Sequence, residues 1–172
     1  MNIFFLHMLP RLCAQMHVNK HVVKMILESV QLLCSAHHVC PDGEYTPPYK
    51  LTHQNHPCAK WVRESVQNYL WLVDLTEELC GEYTHRYSTD KIEKVHLCER
   101  EGYVSDLRQN IPDIPDIGFT PPAQAMPDEY KDSNPVVAYR NYYIGDKQRM
   151  FDWKKRARPL WVILHFQNTQ NE

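Results

Sequence analysis

Residues 16–31, with the sequence MHVNKHVVKMILESVQ, combine the apolar periodicity of a helix with charged and imidazole side chains that could do chemistry. At about 100° per residue, the polar side chains fall on a single stripe roughly 100° wide. A surface helix usually exposes about half of its circumference, so a stripe this narrow favours the lining of a cleft. The residues of this stripe are His17, Lys20, His21, Lys24, Glu28 and Gln31.

Two lysines one helical turn apart make this stripe a candidate anion site. Like charges at Lys20 and Lys24 repel each other unless an anion lies between them, and a phosphate group would serve. The alternative is structural, since Lys24 could pair with Glu28 while both lysines extend to water. Glu28 is the only carboxylate on the stripe, which makes it the candidate catalytic acid or base.

A metal site is the third interpretation of the same stripe. His17 and His21 stand four residues apart and could share an ion with Glu28 or His53. The zinc-protease motif carries a glutamate directly after its first histidine, and Val18 occupies that position here. We therefore expect no bound metal and no other cofactor.

A second cluster stands at the expected start of another helix. Free backbone N–H groups at a helix N-terminus favour an anion, and an arginine binds phosphate through two parallel hydrogen bonds. An aromatic ring beside an amide is typical of base recognition. The alternative is that these side chains only cap the helix and fill the core. The candidate binding residues are His53, Asn55, His56, Trp61, Arg63 and Asn68.

A third cluster lies in the sequence YRNYYIGDK, residues 139–147. Tyr139, Arg140, Tyr143 and Lys147 fall within about two helical turns and could extend the same binding site. The structural alternative is that the tyrosines of a terminal helix only cover the core.

Composition limits the class of protein. At 172 residues the chain fits one domain, and a net charge of −2 with a pI of about 6.5 argues against a protein that slides on duplex DNA. The six cysteines show no C-x-x-C pair, and the start of the chain resembles neither a signal peptide nor a membrane span. We expect free thiols, a cytoplasmic location and no membrane partner, and homo-oligomerisation stays open.

Proline, glycine and capping residues divide the chain into elements. Pro57 suits the first position of a helix with Asn55 or His56 as its cap, and Asn134 caps another helix that begins at Pro135. Gly81 and Gly102 are candidate stops. The predicted helices cover 11–38, 57–80, about 88–101 and a segment from 135 onward.

These elements predict a mainly α fold. Six of the twelve prolines fall in 109–135, which indicates an extended arm rather than a regular helix. We expect a single-domain helical bundle over 1–165 with this Pro-rich extended arm packed over it. Residues 166–172 are expected to form a flexible tail.

Long stretches of the chain resemble a widespread family of small uncharacterised proteins of tailed bacteriophages and large DNA viruses. The resemblance covers nearly the whole chain and implies a viral origin, hence the cytoplasm of an infected host cell. The segments that carry it are HVNKHVVKMILESVQLL, THQNHPCAKWVRESVQNYLWLV, ELCGEYTHRY, QAMPDEYK and AYRNYYIGDK.

The first 100 residues also resemble the small helical pyrimidine-dimer DNA glycosylases. A short apolar start, a charged helix and the pairs Tyr49-Lys50 and His56-Pro57 carry this resemblance. It implies a nucleophilic N-terminal amine that is exposed by removal of methionine and forms a Schiff base. Asn2 disfavours that removal, and NIFFL is expected to be buried, so Glu28 would instead activate water.

Two functions follow from these patterns. In the first, the protein binds a phosphate-bearing nucleotide or nucleic-acid segment in a His/Lys/Arg/Trp-lined cleft and processes it as a glycosylase-like enzyme. In the second, it is a non-catalytic viral anti-defence protein that sequesters a nucleotide immune signal or binds a host protein.

Overall fold

The computed structural model describes residues 1–168 except 42 and 44, and the regular structure of this part is entirely helical. Two short 3-10 turns, Asp128–Tyr130 and Gln148–Met150, stand before and after the seventh helix. The prediction of a mainly α single domain is confirmed. The helices are α1 (Pro10–Met16), α2 (Asn19–Val39), α3 (Pro57–Val62), α4 (Val66–Tyr87), α5 (Leu97–Arg100), α6 (Tyr103–Gln109), α7 (Pro135–Asp146) and α8 (Leu160–Asn168).

The two long helices, α2 and α4, form the centre of the fold and pack against each other, while α1 packs on α4. The chain start passes through this core. The segment NIFFL, residues 2–6, was expected to be buried, and residues 3–6 are. Phe5 stacks on Trp71 at a ring-centroid distance of 4.2 Å and meets the edge of Trp61 at 5.0 Å. This aromatic packing attaches the N-terminal segment to α3 and α4.

The helix predicted over 11–38 is two helices, because the backbone is extended at His17 and Val18. The break leaves helix-terminal carbonyls without an intrahelical partner. Arg86, which is fully buried in α4, donates hydrogen bonds to the carbonyls of Gln15 at 3.0 Å and His17 at 2.8 Å. Side-chain periodicity does not reveal this break, since its compensating group lies about 70 residues away.

A buried carboxylate balances the charge of Arg86. Glu82 accepts a hydrogen bond from Arg86 Nε at 2.9 Å and another from Arg156 at 2.5 Å. Burial alone would raise the pKa of Glu82, but the hydrogen bonds from the two arginines lower it below its usual value. The ionised carboxylate therefore joins α4 to the segment before α8.

Two other predicted helices also differ from the structure. The helix expected over 57–80 is divided at 63–65 into α3 and α4, and Ser65 caps α4 by accepting a hydrogen bond from Gln67 N. Gly81 does not stop α4, which continues to Tyr87 because its polar side chains there pair within the core. The region predicted as a helix from 88 is a loop as far as His96.

The Pro-rich arm crosses the bundle as expected, between α6 and α7. Its carbonyls and amides bind polar side chains of the core. Asn68 donates to Thr120 Oγ1 at 2.7 Å and accepts from Thr120 N at 3.0 Å, and Ser65 Oγ donates to the carbonyl of Gly118 at 2.6 Å. These contacts replace the hydrogen bonds that a proline-rich segment cannot make with itself.

The end of the chain is helical as far as it is described. α8 reaches Asn168, so residues 166–168 belong to a helix, and 169–172 lie outside the described residues. The domain limits and the flexible tail stay predictions. Within the described part of the chain, no helix is both long and apolar enough to cross a membrane.

We expect Arg86→Met to lower the free energy of unfolding by about 3–5 kcal/mol, the usual cost of removing one partner of a buried ion pair. The carbonyls at the break between α1 and α2 would also lose their donor. Urea unfolding followed by circular dichroism measures the loss. Arg100→Met is a matched control, because that exposed arginine pairs with exposed Glu101. Equal stability of the two variants would contradict a structural role for Arg86.

His17 should make the fold sensitive to acid. It is fully buried, and burial lowers its pKa to about 4. His17 is protonated below about pH 6.5 in the unfolded chain but only below about pH 4 in the folded chain. The stability contributed by neutral His17 is therefore fully present above about pH 6.5 and is lost as the pH falls from 6.5 through 4. We expect wild type to lose about 3 kcal/mol more than His17→Phe between pH 7 and pH 4. Parallel stability curves for the two proteins would contradict this role.

Candidate active site

A cleft of about 490 Å³ opens between α2, the chain start and the end of α7. Its walls carry four cationic side chains, one carboxylate and three aromatic or imidazole rings. The lining residues are Met1, Asn2, Phe4, Lys20, His21, Lys24, Met25, Glu28, Ala125, Tyr142, Lys147, Arg149 and Met150.

Glu28 lies beside the first backbone nitrogens of the chain. Its Oε2 accepts a hydrogen bond from Asn2 N at 3.1 Å and lies 3.8 Å from the Met1 amine. Its Oε1 pairs with Lys24 Nζ at 3.0 Å, as the structural interpretation of this stripe anticipated. The Glu28 side chain is only 12% exposed, whereas that of Lys24 is 66% exposed. A carboxylate held against an amine can receive a proton from it.

The side chain of Asn2 anchors the chain start. Its Nδ2 donates to the carbonyl of Ala125 at 2.9 Å, and its Oδ1 accepts from Tyr139 Oη at 3.1 Å and from Cys58 Sγ at 3.4 Å. The partners come from the arm, α7 and α3. Three separate parts of the fold therefore position the backbone nitrogens at Glu28.

The cations of the cleft differ in how they are held. Lys147 donates to Asp146 at 2.5 Å and to the hydroxyl of Tyr142 at 3.1 Å. Burial lowers the pKa of Lys147, but these hydrogen bonds outweigh burial and raise it above its usual value. Lys20 and Arg149 are exposed, and neither forms an ion pair within the part of the chain that the structure describes. These two side chains are available to an anionic ligand.

Aromatic and imidazole rings from the chain start, α2 and α7 form one wall of the cleft. Phe4 stacks on His21 at 4.4 Å with an interplanar angle of 18° and faces Tyr142 at 6.2 Å and 23°. Tyr130 packs against Tyr142 at 5.3 Å and lies directly over Gly145, where a Cβ would overlap its ring. The absence of a side chain at position 145 thus allows the arm to support the wall.

The structure brings together five of the residues predicted for the site. Lys20, His21, Lys24 and Glu28 line the cleft from α2, and Lys147 joins them at the end of α7. The narrow polar stripe does line a cleft, apart from His17 and Gln31. Because the chain is extended at His17, its ring leaves the stripe and enters the core.

Two residues of the second cluster are core residues. Trp61 is 2% exposed, and its Nε1 donates to the carbonyl of Thr120 at 3.2 Å. Asn68 is fully buried and donates to the carbonyl of Trp61 at 2.9 Å. Neither lines the cleft, since both hold the arm instead.

The other residues of the second cluster do not line the cleft. His56 caps α3 by accepting from Cys58 N at 3.1 Å, as one of the two capping alternatives predicted. Burial lowers the pKa of His56, and the Met1 ammonium and His53 lower it further. Arg63 donates to the carbonyl of Gln54 at 2.8 Å, while Asn55 and His53 are exposed.

Most of the third cluster is also structural. Tyr139 and Tyr143 are fully buried, so the core interpretation describes their environment. Arg140 donates to the carbonyl of Leu6 at 3.0 Å, which ties α7 to the N-terminal segment. None of these three residues lines the cleft.

Eight lining residues were not predicted from the sequence, and four of them carry a polar or charged group at the cleft. Met1 and Asn2 were discounted because NIFFL was expected to be buried, but burial begins at Ile3. Tyr142 stands between the predicted Tyr139 and Tyr143, and its i, i+3 spacing from Tyr139 was a usable signal. Nothing in the local sequence distinguishes Arg149, whose position depends on the turn after α7.

Metal ligation has no geometric support in the described residues. No group of three His, Cys, Asp or Glu side chains is close enough there to hold an ion. The rings of His17 and His21 do not face a common position. Their centroids are 6.4 Å apart, their planes meet at 62°, and His17 is buried in the core.

The model of the family described as pyrimidine dimer DNA glycosylase matches residues 1–94, just over half of the 172-residue chain. The chain therefore belongs to the pyrimidine dimer DNA glycosylase family, as one of its two resemblances implied. No curated protein and no solved structure shows a significant match. The resemblance to viral proteins and the location in an infected cell stay predictions.

We expect the exposed cations of the cleft, Lys20 and Arg149, to contribute to the salt dependence of DNA binding. Each phosphate contact contributes about 0.9 to the slope of log K against log salt concentration. Lys20→Ala and Arg149→Ala should each reduce that slope by about 0.9 and weaken binding, as measured by fluorescence anisotropy across a sodium chloride series. Lys91→Ala, on the exposed loop before α5, is the control. Slopes that equal the wild-type slope would show that DNA does not occupy the cleft.

Proposed function

We propose that the protein releases one pyrimidine of a dimer in DNA from its deoxyribose, with an amine at the chain start as nucleophile and Glu28 as the adjacent acid or base. In this release only the glycosidic bond breaks, so the released base stays joined to the other pyrimidine of the dimer. One observation carries the proposal: Glu28 Oε2 lies 3.1 Å from Asn2 N and 3.8 Å from the Met1 amine, in a cationic cleft. Family membership supports the choice of DNA as substrate.

The amine is suited to covalent catalysis. An α-amino group is a weaker base than a lysine side chain, so more of it is unprotonated and nucleophilic near neutral pH. Its nitrogen would form a bond to C1′ of the damaged nucleotide while the bond from C1′ to the pyrimidine breaks. The bonding electrons leave with the base, and the proton released by the amine passes to Glu28.

Glu28 can then act a second time. The sugar ring opens when the bond from C1′ to O4′ breaks, the proton held by Glu28 passes to O4′, and C1′ and the nitrogen become an iminium. The iminium makes the proton on C2′ acidic, and the carboxylate beside the new bond can remove it. The bond from C3′ to its phosphate breaks, which cleaves the strand. One carboxylate next to the amine therefore serves both steps, and it stays accessible because its pairing with Lys24 uses the other oxygen.

Two nitrogens are candidates for the nucleophile. If Met1 is retained, its amine is 3.8 Å from Glu28, and if Met1 is removed, the amine of Asn2 takes its place at 3.1 Å. The Asn2 side-chain hydrogen bonds hold either nitrogen in the cleft. Retention of methionine, which is a reason to expect activated water instead, is therefore compatible with amine chemistry.

The cationic cleft explains how a chain of net charge −2 could bind DNA. Lys20, Lys24, Lys147 and Arg149 concentrate positive charge on one surface, and only Glu28 opposes them in the lining. Enzymes that act on a base take it out of the helical stack, and the aromatic wall offers a surface for such a nucleotide. Local charge rather than net charge is the relevant quantity.

We expect borohydride to trap the protein covalently on a duplex that carries one pyrimidine dimer. Peptide mapping by mass spectrometry should locate the adduct at Met1 or Asn2, and intact mass determines which of the two begins the mature chain. Glu28→Gln should slow base release and trapping by about 10²–10⁴-fold, the usual contribution of a general acid or base. Glu93→Gln, an exposed carboxylate outside the cleft, is the control.

Three results would contradict this mechanism. Base release without a trapped adduct would favour water activated by Glu28, and an adduct on Lys20 or Lys24 would transfer the nucleophilic role to a side chain. Tight binding of a nucleotide or DNA without any turnover would favour the non-catalytic capture that the sequence leaves as its second hypothesis.

A further inference from the structure

We propose that His21 binds the carbonyl oxygen of the departing pyrimidine as an uncharged hydrogen-bond donor. This role rests on the proposed glycosylase function, and it assigns to His21 the recognition of the leaving base rather than of phosphate. The inference follows from three features: the ring orientation, the hydrogen bond on Nδ1 and the exposure of Nε2 to the cleft.

The His21 ring is held on two sides. Phe4 stacks on its face at 4.4 Å and 18°, and Tyr143 Oη lies 2.5 Å from Nδ1. His21 is 6% exposed, and it lines the cleft. A ring fixed by stacking and by a hydrogen bond is already oriented before a ligand enters.

The partner of Nδ1 determines where the proton resides. Tyr143 is fully buried, and a buried phenol requires an acceptor for its O–H. The backbone N–H of Val18 is a donor to that hydroxyl, and His21 Nδ1 is in position to accept its proton at 2.5 Å. Tyr143 therefore donates to Nδ1, so the neutral imidazole carries its hydrogen on Nε2.

Nε2 opens into the cleft. The described residues provide no hydrogen-bond partner for this atom. Unlike His17 Nε2, it is not one of the unpartnered polar atoms that are inaccessible to solvent, so part of its surface is accessible. The atom is therefore in contact with the cleft. An N–H group directed into a ligand cavity binds an acceptor of the ligand.

His21 stays neutral because of its surroundings. Burial, and to a smaller extent repulsion by His17, Lys147 and Lys24, lowers its pKa to about 3. Phe4 and Tyr143, the other groups against the ring, supply no negative charge at neutral pH. The donor is thus unchanged throughout the physiological range, unlike an ordinary histidine.

A neutral donor suits a carbonyl better than a phosphate in this cleft. Lys20 and Arg149 already supply charge for phosphate, and a charged group binds phosphate more strongly than a neutral one does. When the bond from C1′ to the pyrimidine breaks, negative charge develops on the carbonyl oxygen next to the ring nitrogen. A preorganised neutral imidazole that donates to that oxygen stabilises the departing base.

Two duplex substrates test the inference: one carries a pyrimidine dimer, and the other has an abasic site at the same position. His21→Phe retains a flat ring against Phe4 but lacks the donor. On a duplex with one pyrimidine dimer it should release the base about 10²–10³-fold more slowly, the effect of losing one donor to developing charge. On a duplex with a preformed abasic site, which has no base to release, borohydride trapping and strand cleavage should equal those of wild type. His85→Phe, an exposed histidine at the end of α4, is the control and should match wild type on both substrates.

The two substrates separate this inference from the proposed function. Equal losses on both substrates would overturn the role in base release and indicate a phosphate contact or a packing role. Failure of wild type itself to be trapped at the abasic site would overturn the amine mechanism instead.

A measurement on wild-type protein makes the test independent of variant folding. Two-dimensional ¹⁵N NMR of the histidine rings should show His21 with hydrogen on Nε2 and a bare Nδ1, unchanged from pH 8 to pH 5. In Tyr143→Phe, which removes the donor to Nδ1, the other tautomer should become populated and base release should fall. A wild-type His21 with hydrogen on Nδ1, or protonated by pH 6, would overturn the inference.

Discussion

The buried guanidinium of Arg86 is the interaction on which the rest of this structure depends. It binds the carbonyls freed where α1 ends, and Glu82 balances its charge. Because those carbonyls are satisfied, the chain can change direction at His17 and Val18 without leaving buried polar groups unpaired. α1 and α2 can then pack separately on α4, because the chain is not one continuous helix. The polar face of α2 consequently meets the chain start across a cleft.

The chain start is the second component of the site, and side chains rather than regular structure hold it. Phe5 enters the core between two tryptophans, and Asn2 binds the arm, α3 and α7. A terminal segment without such attachments would lose its position through fraying. Here it is ordered as far as the atoms that face Glu28, so the amine and the carboxylate meet in a defined geometry. Such preorganisation is what covalent catalysis requires.

The two walls of the cleft come from different parts of the chain. The wall formed by residues 1–28 lies inside the part that matches the glycosylase family, whereas Ala125, Tyr142, Lys147 and Arg149 lie beyond residue 94. The Pro-rich arm supports this second wall, since Tyr130 packs on Tyr142 over Gly145. The portion of the chain outside the family match therefore contributes five of the thirteen lining residues of the candidate site. It supplies two of the cations that face a nucleic acid.

The sequence by itself determined the helical class, the arm, the cap at Asn134 and the stripe from Lys20 to Glu28, because these depend on local periodicity and turn chemistry. It narrowed the cap of α3 to Asn55 or His56, and the structure has His56. Only the tertiary structure decided where helices break and which polar residues are buried. The break before α2 depends on an arginine about 70 residues away. Asn68 and Trp61 have side chains typical of ligand binding, but in the fold they are buried beneath the arm. Pairing between distant segments leaves no periodic trace in either segment, so such choices are decided by packing.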